Sequence, residues 1–352
     1  MRNKAVKVSD VLDALDTITG GRCLREISEV SSGRNRFVIT KSSDIPGKSC
    51  TELPGLVFGD LEAPVTKLGV AMTLTESSIE LAGAIGINAI VAHHPVADAA
   101  NAGGVTLRNY LSLYNLALFE LHEAFHGLHP GIAFIHGHRV FRTDIAYGGI
   151  PGNVLMVGRA LEPGLTLGTI LDRVRLYANF DEEQAMLQAE RQCRNCSTIL
   201  DAVTSTGGEI VLGSKDTPVK TILHIFPHTG FTAKHLAAAR EEHPEADTVI
   251  ASISRVHAGS DLVATAKGLG MSFVLGNSHA LEILENGMPL ATALKRLLPA
   301  VDVILLRERV TATPVEMAAS PAVRAYAQTM AEQFLLPNSK VLSLNNKKIN
   351  RK

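Results

Sequence analysis

An apolar run at 87–92 (INAIVA) ends in His93, His94 and Pro95. Pro95 disfavours helical backbone at His94 and pushes it toward an extended conformation. In extended chain, neighbouring side chains point to opposite sides. His93 and His94 are therefore expected to serve two metals, or one metal and a contact behind it, rather than one ion together. A plain pair of histidines in a surface loop is the alternative. Two more apolar runs end the same way. The run 116–121 leads to His122 and His126, and the run 271–276 leads to His279, with Glu282 three residues on. His279 and Glu282 share a face if a helix begins there. Neutral imidazole suits zinc, iron, cobalt, nickel and copper. Three histidine-ended strands and one carboxylate point to a metal site built from segments far apart in sequence. The competing account is that these rings cap loops and bond backbone carbonyls.

Such a site needs strands that bring those ends together. Residues 68–74 form an apolar strand. Thr75 can cap a helix that stops at Gly86, and 87–92 is the next strand. Short connections of this strand–helix–strand kind predict a parallel pair. A helix at 105–113 and a strand at 116–121 extend the pattern. Parallel strands would set His93, His94, His122 and His126 at one carboxyl edge, where α/β sheets form ligand sites. Upstream, Ser9 can cap a helix over 10–19 that ends at Gly20-Gly21. A short strand covers 36–40, and 42–54 reads mainly as loop. Residues 127–155 read as loops around at most one short helix. From about 150 the alternation restarts, with strands at 154–158, 219–226 and 248–253 and helices between them. The fold class is thus α/β, with one lobe over 1–149 and a second over 150–265. A strand at 271–276, a helix at 288–298, a strand at 301–306 and a helical stretch at 315–334 follow.

The 352 residues are 46% hydrophobic and 20% charged, with a formal net charge of −1. That balance gives no bulk attraction to nucleic acid or to a membrane surface. Trp is absent and Tyr numbers five, which argues against a base-stacking platform. No apolar run reaches bilayer length, and the basic start lacks an apolar signal core, so a cytoplasmic location is expected. Four cysteines are too few for a disulfide scaffold. Cys193 and Cys196 form a lone CxxC, read as free thiols, with a redox pair as the alternative. His129, His136 and His138 could add ligands or stand as solvated loop residues. The turn 227–230 could hold an anion before a helix or be a plain connection.

These segments resemble the dinuclear-metal family labelled GTP cyclohydrolase I type 2, or Nif-three-like. The resemblance rests on Gly55-Leu56-Val57-Phe58-Gly59-Asp60, the strand with Thr73-Leu74-Thr75, His93-His94-Pro95, the segment His122 to His126, and Gly276 to Glu282. It implies two α/β lobes with the metals in the cleft between them, residues 266–352 completing the first lobe and supplying Glu282. It implies a divalent transition metal, one or two per chain, zinc foremost and iron or manganese as alternatives. The implied ligands are His93, His94, His122, His126, His279 and Glu282, with His94 and Glu282 also at the chemistry. A ring-shaped homohexamer is implied as well. The family's bridging aspartate falls at His126 here, and its C-terminal histidine falls at Ser278, one place before His279. The site so drawn is richer in imidazole and poorer in carboxylate than the family pattern. The activity implied is hydrolysis of a nucleotide or related small molecule, GTP by the family label, through a metal-activated water. A non-catalytic, hexameric metal-binding scaffold or regulator is the alternative. Neither nucleic acid nor membrane is expected as a partner.

Overall fold

The computed structural model describes residues 5–42, 49–96, 104–150, 152–195, 197, 207–227, 230–252, 256–276, 282–309, 314–316 and 320–335. Its strands, in chain order, are β1 Ile39–Ser42, β2 Ser49–Glu52, β3 Gly55–Phe58, β4 Lys67–Ala71, β5 Ala89–Ala92, β6 Ala117–Glu120 and β7 His138–Asp144. They continue with β8 Leu155–Ala160, β9 Glu209–Leu212, β10 Thr221–Ile225, β11 Thr248–Ala251, β12 Ser272–Leu275 and β13 Asp302–Leu306.

The first sheet has the order β13-β4-β5-β6-β3. β13, β4, β5 and β6 run parallel, and β3 closes the edge antiparallel to β6. Every residue of β5 and β6 is buried. Continuous apolar runs of this kind belong to parallel sheets covered on both faces. The period of two decides which side chain goes where. Val70, Val91 and Phe119 face the helices Val8–Thr19 and Met288–Leu297, through Val11, Leu15, Leu290 and Leu294. Ala71, Ile90 and Leu118 face the helices Glu76–Ala84 and Gly104–Leu113, through Ile79, Ala82, Leu107 and Leu111.

The second sheet has the order β7-β8-β10-β11-β12-β9, parallel at its centre and antiparallel at both sides. Helices Ala233–Glu242 and Asp261–Gly268 cover one face, and Leu167–Tyr177 covers the other. Among the described residues, no helix is long and apolar enough to cross a membrane.

The predicted cap Thr75 holds, and Thr166 caps its helix likewise: each accepts a hydrogen bond from the backbone N–H three residues on. Gly20, at φ +67°, ends the first helix in the left-handed region that glycine enters without strain. Ser9 does not cap that helix. The cap is Lys7, whose backbone N–H donates to Asp10, so Ser9 falls in the first turn. Residues 42–54 are not all loop, because β2 pairs with β1. β7 and β9 also lie where no strand was predicted. Both are edge strands, and a half-exposed edge needs only a weak apolar signal: β7 alternates exposed and part-buried residues after His138. The sheets therefore divide the chain at other points than 150 and 265. β7 already belongs to the second sheet, and so does β12. The chain returns to the first lobe with the helix Met288–Leu297 and β13.

Phe119 is fully buried at the centre of the first sheet. Phe119→Ala should lower unfolding free energy by about 3–5 kcal/mol in denaturant titrations. Leu113→Ala, at an exposed helix end, should change it by less than about 0.5 kcal/mol.

Candidate metal centre

Parallel pairing of β5 with β6 sets Ala92 opposite Glu120. The residues that follow both strands leave from the same edge of the sheet. His93 and His94 stay tied to β4's end through their backbone N–H groups, which donate to the carbonyls of Ala71 and Met72. Here the chain turns out of the strand, so strict alternation no longer applies. The expectation that His93 and His94 face apart is therefore corrected. Their ring centres lie 5.4 Å apart, and both reach Glu282: His94 Nε2 stands 3.0 Å from Oε2, and His93 Nε2 3.4 Å from Oε1. His93, His94 and Glu282 form one group able to hold a metal ion.

A second group is His122, Glu123 and His126, on the turn after β6. The two groups share one pocket. His93 stands 5.5 Å, ring centre to ring centre, from both His122 and His126, and those two stand 4.6 Å apart. His93 and Glu282 are each 1% exposed, and even His94 is only 9% exposed. Of the expected ligands, His93, His94, His122, His126 and Glu282 thus converge. His279 lies outside the described residues, as does Ser278.

Each ring is held from behind. His93 Nδ1 meets the Leu121 carbonyl at 2.9 Å and His94 Nδ1 meets Thr73 Oγ1 at 2.8 Å. His122 Nδ1 meets Glu52 Oε2 at 2.9 Å. Partners at Nδ1 leave Nε2 as the ligating nitrogen, the arrangement that orients histidine on metals. Thr73 is itself fixed, its backbone N–H donating to Glu308 Oε1 at 3.2 Å. Asn286 Nδ2 donates to Glu282 Oε1 at 2.7 Å, one helical turn on. Glu120 is a staple: its two oxygens accept from the backbone N–H of Leu53 and of Val96, pinning the loops on either side.

The electrostatics favour a cation. Burial favours neutral His126, but Glu123, with Glu282 and Glu52 behind it, outweighs burial and raises its pKa. Burial alone would raise Glu123, and the adjacent His126 and His122 overcome that and hold it low. Glu123 Oε1 is buried without a hydrogen bond among the described residues, 3.5 Å from His122 Nδ1. An oxygen in that state, in a pocket of imidazoles and carboxylates, fits a divalent metal.

Glu52 and Glu123 were not expected, and they correct the picture of a carboxylate-poor site. A lone acid on a short strand carries no motif. Glu123 did carry a signal, since it stands between two histidines on a turn. His136 and His138 are fully buried rather than solvated, and His129 is half-buried. His129 sits against Phe125, its pKa lowered by burial and by His93 and His126. His136 and His138 lie in the second lobe beside His224. Burial pushes them down to about 4 and about 3, and holds His224 well below its ordinary value. Of the CxxC, Cys193 is exposed at the end of the helix Phe180–Cys193, and Cys196 lies outside the described residues. In the turn after β10, His228 and Thr229 also lie outside them.

Residues 39–101 match the family model described as Duf34/NIF3 (NGG1p interacting factor 3). The solved Staphylococcus aureus hypothetical protein SA1388 superposes with a TM-score of 0.53 at 15% identity, covering 86% of this chain and 97% of that one. The fold is Nif-three-like. A Bacillus cereus protein related to NIF3 gives 0.53 at 14% identity, over 89% of this chain and 99% of that one. TTHA1606 from Thermus thermophilus gives 0.51 at 14%, over 86% and 98%. At these identities the Nif-three-like likeness is one of fold. No curated protein sequence matches.

His93→Ala and Glu123→Ala should each lower the metal bound per chain, measured by elemental analysis after dialysis. Thr73→Val keeps every ligand and removes only the partner of His94. It should weaken metal affinity by about 10–100-fold at unchanged stoichiometry.

Proposed function

We propose that the chain is a metal-dependent hydrolase acting on a nucleotide or related small molecule. The observation that carries this reading is the orientation of His93, His94 and His122, each anchored at Nδ1 with Nε2 left for a cation. Two groups of ligands in one pocket fit two ions. When bound, such a pair supplies Lewis-acid activation of water and of the bond it attacks. Zinc suits the mixed nitrogen and oxygen donors, with iron or manganese as alternatives.

In this proposal His93 and His94 hold one ion with Glu282, and His122, Glu123 and His126 hold the other. Glu282 Oε2, now turned to His94, accepts the proton that the attacking water gives up. Asn286 keeps that carboxylate aimed by donating to Oε1. The near-complete burial of the ligands excludes bulk water and strengthens each charge interaction. GTP, with opening of its imidazole ring, is the substrate that the resemblance names. A homohexamer in the cytoplasm, without nucleic-acid or membrane partners, belongs to the same proposal.

The test is a nucleotide panel assayed with zinc or manganese and with a chelator. Turnover should appear with metal, vanish with the chelator, and fall by at least about 100-fold in His93→Ala and Glu282→Ala. No turnover with any metal, or turnover that survives both substitutions, overturns the hydrolase. Loss of the oligomer in those variants, without turnover in the parent, supports a metal-binding scaffold instead.

A further inference from the structure

The second lobe holds another cluster of histidines. His136, His138 and His224 are each 0% exposed. His136 precedes β7, His138 opens it, and His224 lies one residue before the end of β10. His138 Nε2 and His224 Nδ1 are 3.0 Å apart, and His136 Nδ1 meets the Ile132 carbonyl at 2.8 Å. The rings of His136 and His224 stand edge to face, centres 5.0 Å apart. His136 Nε2, His224 Nε2 and Ser252 Oγ are buried with no hydrogen-bond partner among the described residues. Natural structures rarely leave so many buried polar atoms unpaired in one place.

Two glycines let the backbone pass close to them. A β-carbon at Gly276, just past β12, would stand 3.0 Å from His136 Nε2 and 3.1 Å from Ser252 Oγ. One at Gly158, on β8, would collide with His138 Nδ1. Neither glycine has a positive φ, so backbone conformation does not call for glycine at either place. The missing side chains let the rings lie against the backbone. Ser252 and Gly276 directly follow β11 and β12, so the unpaired atoms gather at the carboxyl edge of the second sheet, where such sheets bind ligands.

We propose that this cluster is a further metal site, separate from the centre in the first lobe, which takes one divalent ion of the zinc, cobalt or nickel class. His136 and His224 bind through Nε2, and the Ser252 hydroxyl completes the polar lining. A cation at His224 Nε2 places that ring's proton on Nδ1, which then donates to His138 Nε2. His138 keeps its own proton on Nδ1, a buried atom that has no acceptor among the described residues. His136 Nδ1–H donates to Ile132. Both ligating rings are thus oriented from behind, as metal-bound histidines are. Neutral nitrogens without a carboxylate select a borderline-soft transition ion over magnesium or calcium.

The test keeps this site apart from the first. In a His93→Ala, Glu123→Ala double variant loaded with cobalt and dialysed, one equivalent per chain should remain. Adding Gly276→Ala, which sets a methyl group against His136 Nε2 and leaves every histidine in place, should remove it. In cobalt-soaked crystals of the wild-type protein, an anomalous peak should lie between His136 Nε2 and His224 Nε2. A dialysed double variant without metal overturns the proposal. So does wild-type density that holds ordered water only, or a crystal peak with no ion retained in solution. None of these outcomes depends on whether the first centre hydrolyses anything.

Discussion

The register of β6 against β5 is the constraint on which the candidate centre rests. Leu121 donates its N–H to Ala92, and so extends the ladder by one residue. Its carbonyl is then in place to accept from His93. The same step aims His122 into the pocket and puts Glu120 where it pins Leu53 and Val96. A slip of one residue would reverse every side chain of β6 and take Glu120 and His122 out of position together. The apolar faces prevent that slip, because Phe119 and Leu118 fill cores on opposite sides of the sheet. Packing deep in the first lobe therefore sets the aim of the rings at its edge.

Charge is the second constraint. Three carboxylates, Glu52, Glu123 and Glu282, are buried beside four imidazoles. They arrive from β2, from the turn after β6, and from the start of the helical stretch that leads into Met288–Leu297. Buried charges are stable only when paired and hydrogen-bonded. Glu52 pairs with His122, Glu282 with His94 and Asn286, and Glu123 with His126. These pairings hold the ligands in place without a metal. They also leave Glu123 Oε1 short of a partner, and a cation would supply one.

What the sequence made legible follows from periodicity and punctuation. β4, β5 and β6 are continuous apolar runs bounded by Thr75, Gly86 and Asn115, and their parallel order follows from the short helices between them. His93, His94, His122 and His126 were legible because each stands just past such a run. Glu282 was legible through resemblance and through its place after β12. Glu52 and Thr73 were not, because their role lies behind a ring rather than on a metal. The edge strands β2, β7 and β9 were not, because one exposed face dilutes the pattern. His138 and His224 were hidden for another reason. A single histidine within a strand looks the same whether it meets solvent or another ring, and only the order β7-β8-β10 brings those two together.

The two histidine clusters answer burial in opposite ways. In the first lobe, carboxylates outweigh desolvation and pull protons onto His126. In the second, no carboxylate among the described residues offsets burial, and His136, His138 and His224 are driven to the neutral form. The same residue type thus meets carboxylates in one lobe and other neutral rings in the other. The first holds carboxylates whose charge a cation would balance. The second has no charge to balance and offers only lone pairs. What separates the two is Glu52, Glu123 and Glu282, all of which stand beside the histidines of the first cluster.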